Sequence, residues 1–341
     1  MATSIWDSVF NEFSAISQRP MVPGARAPWA QLIAPKIKTI FDLTGIPLIV
    51  YASACTTSGV KCPPQVLQID ISDKIPFHSM LEALSGPKLD VLIHSPGGYA
   101  EAVETIVEEL RRKFGHVRFI VPSYAKSAAA MMVMAADEIL MDEEAELGPI
   151  DPQMLTASGV VPAEAIKEQF RKAGEEILAD AKKVQAWFPV LQALGPGILV
   201  QCDDAIRLAN DLVTEWLTKY MFRGEAEGPI KAKRTADFLS DHSVFKSHGR
   251  RIKIEHLAPY GLTVKNLRDN ARLYKAVWEL HCALDIIFSN TPLYKIFYNS
   301  SDAGVVRQVP MAIPGIQLLG QPIPVGPAPV NRPLPSRTRG H

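Results

Sequence analysis

Along the first half of the chain, short apolar runs alternate with amphipathic stretches. This pattern marks strands buried on both faces of a parallel sheet and the helices that cover it. Residues 47–51, 66–71, 90–94 and 117–121 read as strands, and 77–85 as a short helix. Residues 99–114 predict a longer helix: Ala102, Val103, Ile106, Val107 and Leu110 fall on one face, with Glu109 and Lys113 paired at i,i+4 on the other. An apolar run, 128–136, follows the fourth strand. After Asp151 the period turns helical. Asp203 and Asp204 can cap a helix striped by Ile206, Ala209, Leu212, Val213, Trp216, Leu217 and Tyr220, and residues 273–288 repeat the pattern. Such stripes pack into a core or, where one sheet cannot cover them, against another subunit.

Both ends depart from this order. The first 30 residues, with Pro20, Pro23 and Pro28, read as an irregular arm. From Pro310 onward the chain has eight of its 27 prolines, three arginines and no acidic residue, a composition that cannot build a core. The expected organisation is therefore an N-terminal arm over 1–30, an α/β core over 31–155, a mainly helical extension over 156–290 and a Pro-rich extended or disordered tail over 291–341.

Composition narrows the function classes. With 341 residues, 47% hydrophobic and 21% charged, the chain can bury one large core or two modest ones. Lys and Arg number 36 and so do Asp and Glu, so neither a nucleic-acid groove nor a basic membrane-surface helix is expected. The run 128–136 is closed by Asp137 and Glu138, far short of the roughly 20 residues that span a bilayer. The start, Met1-Ala2-Thr3-Ser4-Ile5-Trp6-Asp7, has no signal-peptide pattern. These features predict a cytoplasmic protein without a membrane partner. Cys55, Cys62, Cys202 and Cys282 lack zinc-ligand or redox spacing and read as reduced thiols.

The candidate chemistry lies between residues 92 and 153. Ile93-His94-Ser95-Pro96-Gly97-Gly98 ends a strand in a turn whose amide N–H groups are free to face outward, and Tyr124-Ala125-Lys126-Ser127 runs into the apolar helix. A hydroxyl at a helix entrance and backbone donors at a neighbouring turn are the parts needed to attack a carbonyl and hold the resulting oxyanion. One helix and one strand separate the two turns, so a βαβ unit puts them at the same sheet edge. Taken singly, each has a structural explanation: Pro-Gly-Gly is a common turn and serine a common N-cap.

These motifs resemble the Clp-protease and crotonase superfamily, and within it the serine dehydrogenase proteinase group related to signal peptide peptidase A. The matching residues are His94-Ser95-Pro96-Gly97-Gly98, Tyr124-Ala125-Lys126-Ser127-Ala128, Ala135-Ala136-Asp137-Glu138-Ile139 and Leu147-Gly148-Pro149-Ile150-Asp151-Pro152-Gln153. The resemblance implies an α/β fold, a spiral of ββα units with a mainly helical C-terminal extension. It also implies a serine peptidase with Ser127 as nucleophile, an oxyanion hole from the Gly98 and Ala128 amides shaped by Gly97, and assembly into homo-oligomers. Its partners would be a peptide or protein substrate and further copies of itself. Such chemistry requires no metal or organic cofactor.

The general base has several candidates. The region where a Clp-type relative carries its histidine holds Asp151 and Pro152 here, and no histidine lies between His116 and His242. Relatives of signal peptide peptidase A use a lysine further on, which points to Lys167, with Lys172 near the same window. A lysine base needs its pKa brought from about 10.4 toward 7 or 8, whereas lysines in a charged helix such as 162–172 ordinarily face solvent. His248, in a Ser-His-Gly-Arg turn, is the rival, and His94 a third possibility. Asp151 reads as a turn former, an N-cap or the orienter of a base supplied elsewhere. Two other readings stand beside the peptidase: a catalytically inactive member acting as an oligomeric scaffold or peptide-binding protein, and crotonase-like acyl-thioester chemistry, which needs no serine hydroxyl at this place.

Overall fold

A computed structural model describes residues 4–20, 23–59, 62–157 and 159–310. Two helices, α1 (Ile5–Ser17) and α2 (Pro28–Thr44), precede strand β1 (Leu48–Ser53). Then follow α3 (Lys74–Glu82), β2 (Lys88–His94), α4 (Ala100–Lys113), β3 (His116–Val121), β4 (Tyr124–Ala125), α5 (Ala128–Met134), β5 (Glu138–Met141) and β6 (Glu146–Leu147). A hairpin of β7 (Gln153–Thr156) and β8 (Gly159–Pro162) leads into α6 (Ala163–Ala179), α7 (Val184–Leu194), α8 (Ile198–Lys219), α9 (Gly228–Ser240) and the single turns α10 (His242–Phe245) and α11 (Ile254–Leu257). The chain returns through β9 (Val264–Asn266), α12 (Ala271–Asn290), β10 (Leu293–Asn299) and β11 (Gly304–Gln308).

The main sheet has the strand order β11-β10-β1-β2-β3-β5-β9. Strands β1, β2, β3, β5 and β9 run parallel; β10 and β11 complete one edge antiparallel. Side-chain alternation divides the core into two layers. Tyr51, Val91, Ile93, Phe119, Val121 and Ile139 pack with α4, α5 and α8 on one face. Val50, Leu92, Ile120 and Leu140 pack with α1, α2 and α12 on the other. Because both faces are covered, the central strands read as apolar runs rather than as alternating patterns. Helix α4 crosses from β2 to β3 and α5 from β3 to β5, which brings the loops after β2 and β3 to one sheet edge.

The structure corrects the sequence reading at several points. The first 30 residues are not an irregular arm: Ser4 Oγ accepts the Asp7 N–H at 3.1 Å to start α1, whose Val9, Phe13 and Ile16 are buried. Pro28 sits in the first turn of α2, where a proline loses no intrahelical bond. Residues 66–71 do not form a strand. Pro63 and Pro64 open a 3-10 turn, the Asp70 side chain caps another, and Ile69 alone pairs, with Gly98. Helix α8 starts at Ile198 after Gly197, so Asp203 and Asp204 lie inside it rather than capping it.

The region 156–290 is mainly helical, as expected, although it opens within a hairpin and sends β9 back to pair with β5. An extended tail does not begin at 291. Strand β10 pairs with β1, and the buried Lys295 ammonium lies 2.8 Å from Asp73 Oδ2, which also accepts the Tyr51 hydroxyl at 3.0 Å. The rest of the expected Pro-rich tail, 311–341, lies outside the described residues.

Candidate active site

Ser127 stands between β4 and α5 with φ 52° and ψ −127°. A positive φ on a residue with a side chain costs about 1–3 kcal/mol and persists only where the surroundings impose it. Here they do. The Lys126 N–H donates to Ser95 O at 3.1 Å, the Ser95 N–H to Tyr124 O at 3.0 Å, and the Met131 N–H to Ser127 O at 3.1 Å. These bonds hold the turn against the end of β2 on one side and in α5 on the other. Ser127 is half-buried, and its hydroxyl has no hydrogen-bond partner among the described residues.

The glycine turn packs directly against it. A Cβ on Gly97, whose φ is +95°, would lie 2.5 Å from Lys126 O and 2.7 Å from Ser127 Cβ; one on Gly98 would lie 2.1 Å from Ile69 O. Glycine is required at both places for close approach of backbone to backbone. The Ile69 N–H donates to Gly97 O at 2.7 Å and the Tyr99 N–H to Ile69 O at 3.0 Å, fixing the turn on either side of Gly98. Neither the Gly98 nor the Ala128 N–H is taken by another group among the described residues. Ala128 is the first residue of α5, where an N–H has no intrahelical acceptor.

Gly98, Ser127 and Ala128 line a cleft of about 490 Å³ together with His248, which the chain supplies from beyond α10. His248 Nδ1 lies 2.7 Å from Asp151 Oδ1. Asp151 is buried, and a carboxylate only accepts, so His248 Nδ1 carries the proton and Nε2 is left as the basic nitrogen. Asp151 is neither an N-cap nor a simple turn residue. Its other oxygen, Oδ2, accepts from His242 Nδ1 at 3.2 Å and from Gln153 Nε2 at 3.1 Å.

Three links carry Asp151 and His248 to this position. The Ile150 N–H donates to Leu239 O at 2.9 Å. Leu147 and Ile252 exchange backbone bonds of 2.9 and 3.0 Å. The buried Lys126 ammonium donates to Leu147 O at 3.2 Å and to Arg250 O at 3.1 Å, with Glu146 Oε2 at 2.8 Å. Burial lowers the Lys126 pKa, and Glu146 opposes that effect. Lys126 thus ties the serine turn to the loop that bears His248.

The remaining sequence candidates lie elsewhere. Lys167 Nζ is 3.0 Å from Asp203 Oδ1 and 3.3 Å from Glu164 Oε1. The bond to Asp203 raises its pKa, the reverse of what a lysine base requires, and Lys167 does not line the Ser127 cleft. His94 alternates to the α12 face. Its Nε2 lies 2.9 Å from Thr56 Oγ1, its ring meets His281 at 5.0 Å, and burial drives its pKa well below the ordinary imidazole value. His242 and Lys126 were not identified by sequence reasoning: nothing in the local pattern separates a histidine after a capping aspartate, or a lysine before a serine, from ordinary surface residues.

Comparison with known proteins identifies the family. Two uncharacterized proteins of Methanocaldococcus jannaschii are 40% and 39% identical to the chain over 89 and 124 residues, or 26% and 34% of its length. Those matches span 29% and 42% of the two relatives, less than half of either. Among solved structures, a mutant ClpP1 from Listeria monocytogenes is similar over 60% of this chain and 90% of its own, with 16% identity and a TM-score of 0.31. A family model matches residues 64–266, which include both turns, Asp151 and His248. The chain belongs to the ClpP-like SDH-type serine proteinases.

Proposed function

We propose that this protein is a peptidase working through a Ser127–His248–Asp151 triad. His248 Nε2 takes the proton of the Ser127 hydroxyl as Oγ attacks a peptide carbonyl, and Asp151 holds the ring in the correct tautomer and stabilises the imidazolium. The Gly98 and Ala128 N–H groups receive the oxyanion, with Gly97 shaping their turn. His248 then gives its proton to the leaving amine, leaving an acyl-enzyme on Ser127. Water attacks that ester with His248 again as base, releasing the carboxylate product and restoring the hydroxyl. The observation that carries this reading is the 2.7 Å Asp151–His248 contact in the cleft that holds the strained Ser127. It favours His248 over Lys167 as the base.

The cleft speaks for peptide as the substrate class. Met131, Ile150, Leu155, Val160 and Leu208 give it apolar walls, suited to side chains that a folded protein keeps inside. The four cysteines are free thiols, which supports action in the cytoplasm. No described helix is long and apolar enough to cross a membrane.

Assembly into homo-oligomers is part of the same proposal. Helix α7 has the sequence VQAWFPVLQAL, yet none of its residues is buried, and Phe188 is 59% exposed. Leu178 at the end of α6 is 90% exposed. Apolar surface of this kind on a polar molecule suits contact with another copy. The proposed function is tested by following release of acid-soluble fragments from casein. Wild type should produce them, and Ser127→Ala and His248→Ala should not. A wild type that cleaves neither casein nor small esters supports the inactive scaffold instead.

A further inference from the structure

Asp151 has a second imidazole on it that the triad does not use. His248 Nδ1 meets Oδ1 at 2.7 Å, and His242 Nδ1 meets Oδ2 at 3.2 Å. Both rings must donate, because the carboxylate only accepts. His248 lines the Ser127 cleft, whereas His242 does not, so each carboxylate oxygen holds one ring and only one of the two rings faces the cleft. His242 is held in turn. It is the first residue of α10, and the preceding Asp241 caps that turn by accepting the Ser243 and Val244 N–H groups at 2.8 and 3.3 Å. The Lys246 N–H closes the turn on His242 O at 2.7 Å.

We infer that His242 is a positioning residue for the Ser127 reaction, fixing the buried Asp151 carboxylate by a hydrogen bond to its second oxygen. The inference rests on the triad reading. Without that bond Asp151 keeps one oxygen on His248 but can rotate about its last torsion, held otherwise by Gln153 Nε2 at 3.1 Å. The donor matters most when His248 becomes an imidazolium, since a fixed carboxylate then stabilises the new charge without rearranging.

The test measures the second-order rate of Ser127 labelling by a fluorophosphonate at a fixed pH near 8. It compares wild type, His248→Ala, His242→Asn, which keeps an N–H donor, and His242→Phe, which keeps a ring without one. Near pH 8, His242→Phe should slow labelling about tenfold to a hundredfold, the effect of one bond to a charged group. His242→Asn should stay within about threefold of wild type, at an unchanged melting temperature. Labelling that requires His248 but is equally fast in wild type and His242→Phe overturns the role of His242 alone. Labelling that does not require His248 overturns it together with the triad.

Discussion

Asp151 Oδ1 and His248 Nδ1 lie 2.7 Å apart although 97 positions separate them in the chain. The chain closes that distance through α9, whose Leu239 carbonyl receives the Ile150 N–H, and through the Leu147–Ile252 bridge. If this contact activates Ser127, His248→Ala should lose activity almost as fully as Ser127→Ala, about 10⁴-fold or more, because the members of a triad act as a unit. Lys167→Ala should stay within about threefold of wild type, since that ammonium is occupied by Asp203 and Glu164. Initial rates on a fluorogenic peptide check both.

Asp151→Asn separates orientation from charge. The amide is nearly isosteric but offers His248 a neutral acceptor at best and a donor at worst, so the ring loses the tautomer that leaves Nε2 basic. Activity should fall by about 10³- to 10⁴-fold. The loss should appear in kcat with KM little changed, because the carboxylate is not a substrate-binding group.

Much of this was legible in the sequence, and the limits have physical causes. The two turns and Ser127 could be read because a strand end, a glycine pair and a helix entrance are local features. Asp151 could be named but not placed, since its role depends on a partner that only the tertiary fold supplies. His248 looked like a turn residue for the same reason. Lys167 follows from the resemblance to relatives of signal peptide peptidase A, yet its distance along the chain from Ser127 does not say which carboxylates sit beside it. The ends misled through proline content: Pro28 fits the first turn of α2, and the apolar run of 293–298, broken only by Lys295, was masked by the Pro-rich segment that follows.

Glycine replacement tests the packing of the two turns. Gly97→Ala puts a Cβ 2.5 Å from Lys126 O at a positive φ, and Gly98→Ala puts one 2.1 Å from Ile69 O. Backbone cannot yield as a flexible side chain can, so each change should lower stability by about 2 kcal/mol or more and displace the Gly98 donor. Thermal unfolding and peptide hydrolysis should fall together.

Acid stability should report on the buried histidines of the opposite layer. Burial holds the His281 pKa down at about 4, against the opposing pull of Asp285 and Asp142, while an unfolded imidazole titrates near 6.5. The unfolded chain therefore binds more protons between those values, so stability is complete above about pH 6.5 and declines as pH falls toward 4. His281→Gln should flatten that decline in urea unfolding midpoints measured from pH 7 to pH 4.5.

Light scattering at micromolar concentration tests assembly. The exposed apolar faces of α6 and α7 predict a mass that is a multiple of 37.4 kDa, and Phe188→Glu with Leu178→Glu should reduce it. A monodisperse particle of 37.4 kDa would sink the oligomer proposal.

Fluorophosphonate labelling of the intact chain, with the modified residue located by peptide mass spectrometry, tests the central claim most directly. The account predicts one modified residue, Ser127, in wild type and in Lys167→Ala, and none in Ser127→Ala or His248→Ala when all four retain the wild-type melting temperature. A folded wild type that takes up no label, or a His248→Ala protein labelled at Ser127 as fast as wild type, would contradict it.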